Sequence, residues 1–167
     1  YNKSRGMFTQ MASHIRDREE TIAYERAMRV GAASLGICRG AQLITALNGG
    51  SLIQHVEGHQ SNGSHWIVTQ EGKRVIATSS HHQMMNPYVL PDHKYKILAW
   101  CPKPLSDVYL DESNNNGFVP DVEPEIVLFP HTKSLCVQGH PEWADPNGPY
   151  VSLCRDLVKQ HLIGEAA

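Results

Sequence analysis

The first third of the chain changes from a helical pattern of apolar positions to an uninterrupted apolar run and back. Residues 13–30 carry apolar side chains at helical spacing, with Ser13 at the N-cap position and Gly31 where the helix ends. Residues 32–38 show no polar alternation, which predicts a strand buried on both faces. Residues 40–48 return to helical spacing. A helix, a strand and a helix with short joints predict an α/β fold with parallel strands.

The remainder of the chain is richer in strand patterns. Apolar and β-branched runs predict strands at 65–69, 74–78, 95–101, 107–111, 125–129 and 134–138. The first two flank a turn sequence and predict a β-hairpin. Residues 102–124, rich in Pro and Asn, predict a long loop that contains the short strand at 107–111, and residues 149–162 predict an amphipathic helix. Since no repeat or linker interrupts the pattern, we expect residues 1–167 to form a single domain.

Composition and charge exclude several classes of function. The net charge is −2 without a basic run, which argues against nucleic acid as a partner and favours a small-molecule substrate. No stretch approaches the ~20 apolar residues of a membrane span, and no signal peptide is recognisable. The four cysteines form no CxxC pair, which argues against a zinc ribbon and a disulfide framework, and free thiols predict a cytoplasmic protein. The chain begins at Tyr1, and we expect the N-terminal part of a larger fold to be missing from it.

The pattern G-x-Cys-x-G at residues 36–40 stands between the predicted strand and the next helix. It is the pattern of a nucleophile elbow with Cys38 as the nucleophile, and its glycines avoid Cβ collisions in a sharp turn. The elbow sets Cys38 at a helix N-terminus, whose dipole favours the thiolate. The backbone N–H of Arg39 would face an oxyanion. By itself, the pattern fits a buried structural cysteine in a tight turn equally well.

A second motif follows the strand predicted at 134–138. His140 at the strand end can act as a general base, and Glu142 can orient its imidazole. Pro141 stiffens the connection between them. Alone, this motif is more typical of a turn with an exposed histidine. Together with the elbow, it favours a Cys-His-Glu catalytic triad.

Four motifs resemble those of class I glutamine amidotransferases, and most closely the γ-glutamyl-γ-aminobutyrate hydrolase branch, the C26 peptidases. They are Gly36-Ile37-Cys38-Arg39-Gly40-Ala41-Gln42, Gly49-Gly50-Ser51-Leu52, Ser80-His81-His82-Gln83 and Gln138-Gly139-His140-Pro141-Glu142-Trp143. The similarity extends from about residue 16 to residue 162. It implies a flavodoxin-like three-layer sandwich with a mostly parallel central sheet, whose N-terminal strands would be missing from this chain.

The resemblance also implies roles for individual residues. Cys38, His140 and Glu142 fall on the family's catalytic triad, and Gln42 falls on a glutamine that contacts the glutamyl substrate. The loop with Gln83 and Met84 would offer backbone contacts to the substrate, with His82 ordering that loop. The family's second oxyanion donor lies on a Gly-Gly-x-Asp loop that is not recognisable here. Residues 102–124 are longer and more polar than the corresponding connection in the family. A lid, a partner surface and a harmless insertion are the three roles left open for this segment.

Ten histidines raise the question of a metal site. The candidates are His55, His59, His65, His81 and His82, but their spacing matches no metal motif and much of it lies in a loop. We therefore predict no metal and no cofactor. The remaining cysteines, Cys101, Cys136 and Cys154, are predicted to be inert core thiols. Trp143 either lines the pocket or packs.

The predicted reaction is hydrolysis of the γ-carboxamide bond of glutamine or a γ-glutamyl amine, through a γ-glutamyl thioester on Cys38. Two forms of this activity stay open: a glutaminase that supplies ammonia to a synthase partner, and a stand-alone hydrolase. A catalytically idle scaffold or binding protein on the same fold is the alternative from another class. The leaving amine and a homodimer are also left open.

Overall fold

The computed structural model describes residues 14–60, 63–116 and 118–164. Its α-helices are α1 (His14–Arg29), α2 (Arg39–Leu47) and α3 (Pro149–Val158), and α3 continues into a π-helical turn at Lys159–Ile163. All three helices were predicted, while the predicted N-cap Ser13 lies outside the described residues. Within the described ranges, every helix is too short or too polar to span a bilayer.

The described strands follow the predicted runs and add three short ones. They are β1 (Ser34–Ile37), β2 (Ser51–Ile53), β3 (His55–Val56), β4 (Ser64–Thr69), β5 (Arg74–Thr78), β6 (Met84–Asn86), β7 (Lys96–Trp100), β8 (Tyr109–Leu110), β9 (Pro124–Phe129) and β10 (Ser134–Val137). The predicted hairpin is the antiparallel pair β4 and β5. Strands β2, β3 and β6 were not predicted, because two or three residues are too few to show a period.

The main sheet has six strands in the order β1-β10-β9-β7-β4-β5. Strands β1 and β10 pair in parallel, whereas each of the other four pairings is antiparallel. The α/β class is confirmed, but the prediction of a mostly parallel sheet is wrong for the described residues. Short turns join β4 to β5 and β9 to β10, and a short turn can only return the chain antiparallel. The long crossover from β1 to β10 permits the parallel pair.

The strand before the elbow is less buried than its sequence predicts. Among the described strands, β1 stands at an end of the six-stranded sheet. Leu35 on this strand is 47% exposed, so burial on both faces was a wrong prediction. An apolar run shows that a strand can be buried, but its position in the sheet decides whether it is.

Strand β9 lies at the centre of a three-layer core. Ile126 and Leu128 face a cluster that includes Tyr150, Leu153 and Cys154 of α3. Val127 and Phe129 face the opposite cluster, which contains Tyr24 of α1, Ala41 and Ile44 of α2, and Cys136. The alternation follows the two-residue period of a strand. Helices therefore cover both faces of the sheet, and Cys136 and Cys154 are core thiols as predicted.

The polar segment between β7 and β9 is anchored by a buried carboxylate. Glu123 accepts hydrogen bonds from the backbone N–H groups of Leu105 (2.8 Å) and Ser106 (2.9 Å) and from the Tyr109 hydroxyl (2.8 Å). Strand β8 pairs with β3, and its Tyr109 packs with Ile53, Val56 and Met84. This part of the segment is therefore tied to the body of the fold.

Candidate active site

Cys38 occupies a strained turn between β1 and α2. Its backbone has φ 48° and ψ −108°, a conformation that non-glycine residues rarely adopt. The Cys38 N–H donates to the Val137 carbonyl at 2.7 Å, which fixes the turn to the end of β10. A Cβ on Gly36 would lie 2.8 Å from backbone atoms of Gly40 and Ala41, whereas a Cβ on Gly40 would meet open space. The predicted steric need for glycine is therefore right for Gly36 and wrong for Gly40.

Burial controls the protonation of the Cys38 thiol. It raises the pKa of this thiol above its ordinary value, while the backbone N–H of Arg39 acts in the opposite direction. The nearby carboxylates of Glu142 and Glu125 raise the pKa further. The predicted help from the helix N-terminus is present in the Arg39 N–H, but it does not outweigh burial. The resting thiol therefore needs a base to become a nucleophile.

The side chain of Arg39 has a structural partner that the sequence did not reveal. Its guanidinium contacts the carboxylates of Asp17 and Glu20 on α1. Burial raises the pKa of Glu20, but Arg16 and Arg39 outweigh it and leave the pKa lowered. The two ion pairs join α1 to the first turn of α2, directly beside the elbow.

His140 follows the strand that pairs with β1. Because Ile37 is in register with Val137, the residues after both strands emerge at the same edge of the sheet. His140 Nδ1 lies 2.7 Å from Glu142 Oε1, so the predicted base and its orienter are in contact. Cys38 precedes α2 and His140 follows β10 at this shared edge, which is the arrangement that the two motifs predicted.

Thr78, at the end of β5, holds the backbone of His140. Its hydroxyl accepts from the His140 N–H at 3.0 Å and donates to the His140 carbonyl at 2.5 Å. A Cβ on Gly139 would lie 2.5 Å from the Tyr150 hydroxyl and would also meet the Thr78 carbonyl oxygen. Thr78 could not be predicted from the sequence, because it is 62 residues from His140 and belongs to no motif.

Trp143 stacks on the imidazole of His140. The ring centroids are 3.6 Å apart and the planes differ by 6°. The indole is 62% exposed, so it packs on the histidine and not in the core. Glu142 fixes one ring nitrogen and Trp143 covers one face, which together hold the ring in one orientation.

The predicted substrate residues meet behind the elbow. Gln42 is 6% exposed, and its Nε2 donates to the Gln83 carbonyl at 2.9 Å. The Gln83 side chain donates to Gln54 Oε1 at 2.8 Å, and the Met84 side chain is fully buried. The first turn of α2 and the predicted substrate loop are thus bonded to each other.

His82 and its neighbours connect this loop to the rest of the site. The His82 carbonyl accepts from the Val56 N–H at 2.7 Å. Burial lowers the pKa of His82, and the nearby His55 and His81 lower it further. The Met85 N–H donates to Gln138 Oε1 at 3.2 Å, which ties the loop to the residue directly after β10.

A second group of histidine, cysteine and glutamate side chains lies buried inside the fold. Its members are His59, His65, His81, Cys101, Glu123 and Glu125. Glu125 Oε1 lies 2.9 Å from His65 Nε2, 3.4 Å from His59 Nδ1 and 3.6 Å from Cys101 Sγ. Burial raises the pKa of Glu125, but His59, His65 and His81 outweigh it and hold the pKa well below its usual range. Donor atoms of His59, His65, Cys101 and Glu125 lie within 4.8 Å of one another and could hold a metal ion.

Comparison with known proteins identifies the family and the fold. The peptidase C26 family model matches residues 1–93, more than half of the chain. No curated protein matches the sequence.

Solved structures resemble this one over most of its length. A glutamine amidotransferase from Thermotoga maritima has a TM-score of 0.57 at 13% identity and aligns with 93% of this chain. A candidate GMP synthase subunit from Thermoplasma acidophilum (0.52, 16%, 80% of this chain) and a glutamine amidotransferase from Methylobacillus flagellatus (0.50, 16%, 92%) are also similar. The chain covers 64%, 58% and 66% of these proteins, respectively. At such identities the likeness shows the fold, which is the class I glutamine amidotransferase-like fold that the motifs predicted.

Proposed function

The chain belongs to the peptidase C26 family, and from this premise we propose that it hydrolyses the γ-carboxamide bond of glutamine or a γ-glutamyl amine. The observation that carries the proposal is the strained turn at Cys38, beside the strand that leads into the bonded pair of His140 and Glu142. A nucleophile, a base and an orienter on adjacent strand ends are what acyl transfer requires.

In the proposed mechanism, His140 takes the proton of the Cys38 thiol as the sulfur attacks the δ-carbonyl. A carbon–sulfur bond forms, the carbon–nitrogen bond breaks, and His140 gives the proton to the departing amine. Water then attacks the γ-glutamyl thioester with His140 as base, the carbon–sulfur bond breaks, and glutamate leaves. His140 returns the proton to the Cys38 sulfur. The Arg39 N–H, which lowers the pKa of Cys38, is the proposed donor to the oxyanion.

The glutamyl group is proposed to bind between the elbow and the loop that contains His82, Gln83 and Met84. Support comes from the bond between Gln42 and the Gln83 carbonyl, which brings the loop against the first turn of α2. The fully buried Met84 side chain leaves the backbone as the part of this residue that could contact a ligand. We further propose that residues 1–167 act as one catalytic domain without a cofactor.

The same site could serve a synthase that uses the released ammonia. The candidate GMP synthase protein from Thermoplasma acidophilum, one of the similar structures, favours this second form of the activity. The two forms differ in their partner and not in their chemistry, because both release ammonia or an amine as the γ-glutamyl thioester forms. The synthase partner is therefore a proposal about the whole protein.

The deciding experiment measures ammonia released from glutamine and amines released from a panel of γ-glutamyl amines. Wild type is compared with Cys38→Ala and with Cys154→Ala, a matched control that removes a thiol from the core. We expect turnover by wild type and the control alone. Turnover that survives in Cys38→Ala would contradict the mechanism. Turnover of glutamine only after addition of a synthase indicates the amidotransferase form. No turnover of any substrate by a longer wild-type protein that includes the family's Gly-Gly-x-Asp loop indicates the idle scaffold.

A further inference from the structure

We propose that the buried cluster around Glu125 is a structural metal site, with zinc as the ion that its donors favour. The ligands would be one ring nitrogen each of His59 and His65, the Cys101 sulfur and a Glu125 oxygen, whose donor atoms lie within 4.8 Å of one another. Two imidazoles, a thiolate and a carboxylate form a borderline-soft donor set, which suits zinc better than the oxygen-seeking magnesium or calcium. The inference does not depend on the proposed hydrolase activity.

Unpartnered buried atoms point to a shared missing partner in this cluster. Glu125 is 1% exposed, and its Oε2 has no hydrogen-bond partner. The His59 side chain is fully buried, and neither of its ring nitrogens is aligned in a hydrogen bond, although both lie within 3.4 Å of a carboxylate oxygen. His81 Nε2, 3.7 Å from Glu125 Oε1, is also without a hydrogen-bond partner. Buried polar atoms are normally satisfied, so several orphans around one carboxylate are unusual.

The negative charge of the buried Glu125 carboxylate also favours a bound cation. Glu123 is satisfied by two backbone N–H groups and a hydroxyl, whereas Glu125 receives a thiol and His65 on one oxygen only. Burying a carboxylate is costly unless a cation and hydrogen bonds compensate it. A proton on His59 would supply one positive charge but would leave the thiol and Glu125 Oε2 without a better partner. A divalent ion would engage all four proposed ligands together.

Three of the four proposed ligands lie on strands or directly after one, so the sheet and not a loop fixes their arrangement. His59 lies in the segment before β4, but His65 is on β4, Cys101 directly follows β7, and Glu125 is on β9. The order β9-β7-β4 makes these three strands neighbours in the main sheet. With four protein ligands and almost no exposure, the site would be closed to substrate, as structural zinc sites are. The ion would fasten the His59 segment to the sheet.

The test uses the full chain and needs no enzyme assay. Metal content is measured after purification in zinc-supplemented medium, and metal-depleted protein is titrated with Zn²⁺ and with Co²⁺. We expect one zinc per chain, and with Co²⁺ a thiolate-to-cobalt charge-transfer band in the near ultraviolet. Saturating Zn²⁺, at ~100-fold excess over Kd, should raise the Tm by about 5 to 10 °C. Mg²⁺ should produce neither effect.

Variants assign the sulfur and separate this site from the proposed nucleophile. Cys101→Ser should lose the cobalt band, while Cys154→Ser and Cys38→Ala should keep it. Wild-type protein that retains no zinc and shows no band and no shift in Tm would overturn the site, leaving a cluster held by protons. A folded Cys101→Ser protein with an unchanged band would also overturn it. If Cys101→Ser does not fold, loss of the band from Cys38→Ala decides against the proposal, because the sulfur would then be that of Cys38.

Discussion

The described residues assemble cysteine, histidine and glutamate twice, and the two sets differ in almost everything except residue type. Cys38, His140 and Glu142 lie at the edge of the sheet, where Cys38 is partly exposed and the Glu142 side chain is 47% exposed. Cys101 and Glu125 belong to the buried set, and these two residues are 3% and 1% exposed, respectively. One set is reachable and contains a strained backbone, while the other is closed. Position in the fold, and not composition, separates a candidate for catalysis from a candidate for structure.

The largest expected difference between the two sets is thiol reactivity. Iodoacetamide should alkylate Cys38 at least ~10³-fold faster than Cys101, because burial and Glu125 raise the pKa of the Cys101 thiol far above its ordinary value. Peptide mass spectrometry after timed labelling measures both rates. Turnover should fall in proportion to Cys38 labelling. Equal rates of labelling for Cys38 and Cys101 in folded protein would contradict the proposed difference in reactivity between the two thiols.

Gly139→Ala should disturb only the set formed by Cys38, His140 and Glu142. The new Cβ would meet the Thr78 carbonyl and the Tyr150 hydroxyl, so β10 must shift and displace His140. We expect kcat to fall by about 10²-fold, the effect of misplacing a catalytic group by roughly 1 Å. Gly40→Ala is the matched control, since its Cβ has open space and should leave the Tm unchanged or higher. A fully active Gly139→Ala enzyme would show that this packing does not position the base.

Glu142→Gln should make Cys38 easier to deprotonate while it weakens catalysis. The Glu142 carboxylate is one of the groups that raise the pKa of Cys38, so its removal should move the midpoint of alkylation against pH downward. The other groups that shift this pKa, Glu125 and the Arg39 N–H, are unchanged. We expect kcat to fall only about tenfold, because Trp143 still holds the imidazole. An upward shift of the midpoint would contradict the assigned direction.

Tyr109→Phe should lower the stability of the protein and leave Cys38, at the edge of the sheet, unaffected. The exchange removes the hydroxyl that donates to Glu123 at 2.8 Å, but two backbone N–H groups remain. We expect a loss of about 1 to 2 kcal/mol in the free energy of unfolding, measured by urea denaturation. Alkylation of Cys38 should proceed at the wild-type rate. Tyr95→Phe, at a hydroxyl outside the cluster, serves as the control.

The sequence predicted the elements whose signals are local. Helix α2, the hairpin of β4 and β5, and the strand that ends before His140 each have a continuous pattern of their own. The elbow was recognisable because G-x-Cys-x-G describes one turn completely. Pairing direction was not, since it depends on how connections run between distant segments.

The contacts missed were those between residues far apart in sequence. Thr78 supports His140 across 62 residues, and Arg39 contacts Asp17 across 22. A role for Glu125 could not be predicted, because a glutamate in an apolar run matches no motif and its histidine partners come from other segments. Only the sheet order brings such side chains together, so local spacing could not predict the buried cluster.

The stack of Trp143 on His140 also has an optical consequence. The chain contains three tryptophans, and the indole at position 143 lies 3.6 Å from the imidazole proposed to move protons. Indole emission responds to the charge and distance of whatever covers its face. Trp143 is therefore a natural fluorophore at the candidate site, and Trp66 and Trp100 supply the background from which its signal can be separated.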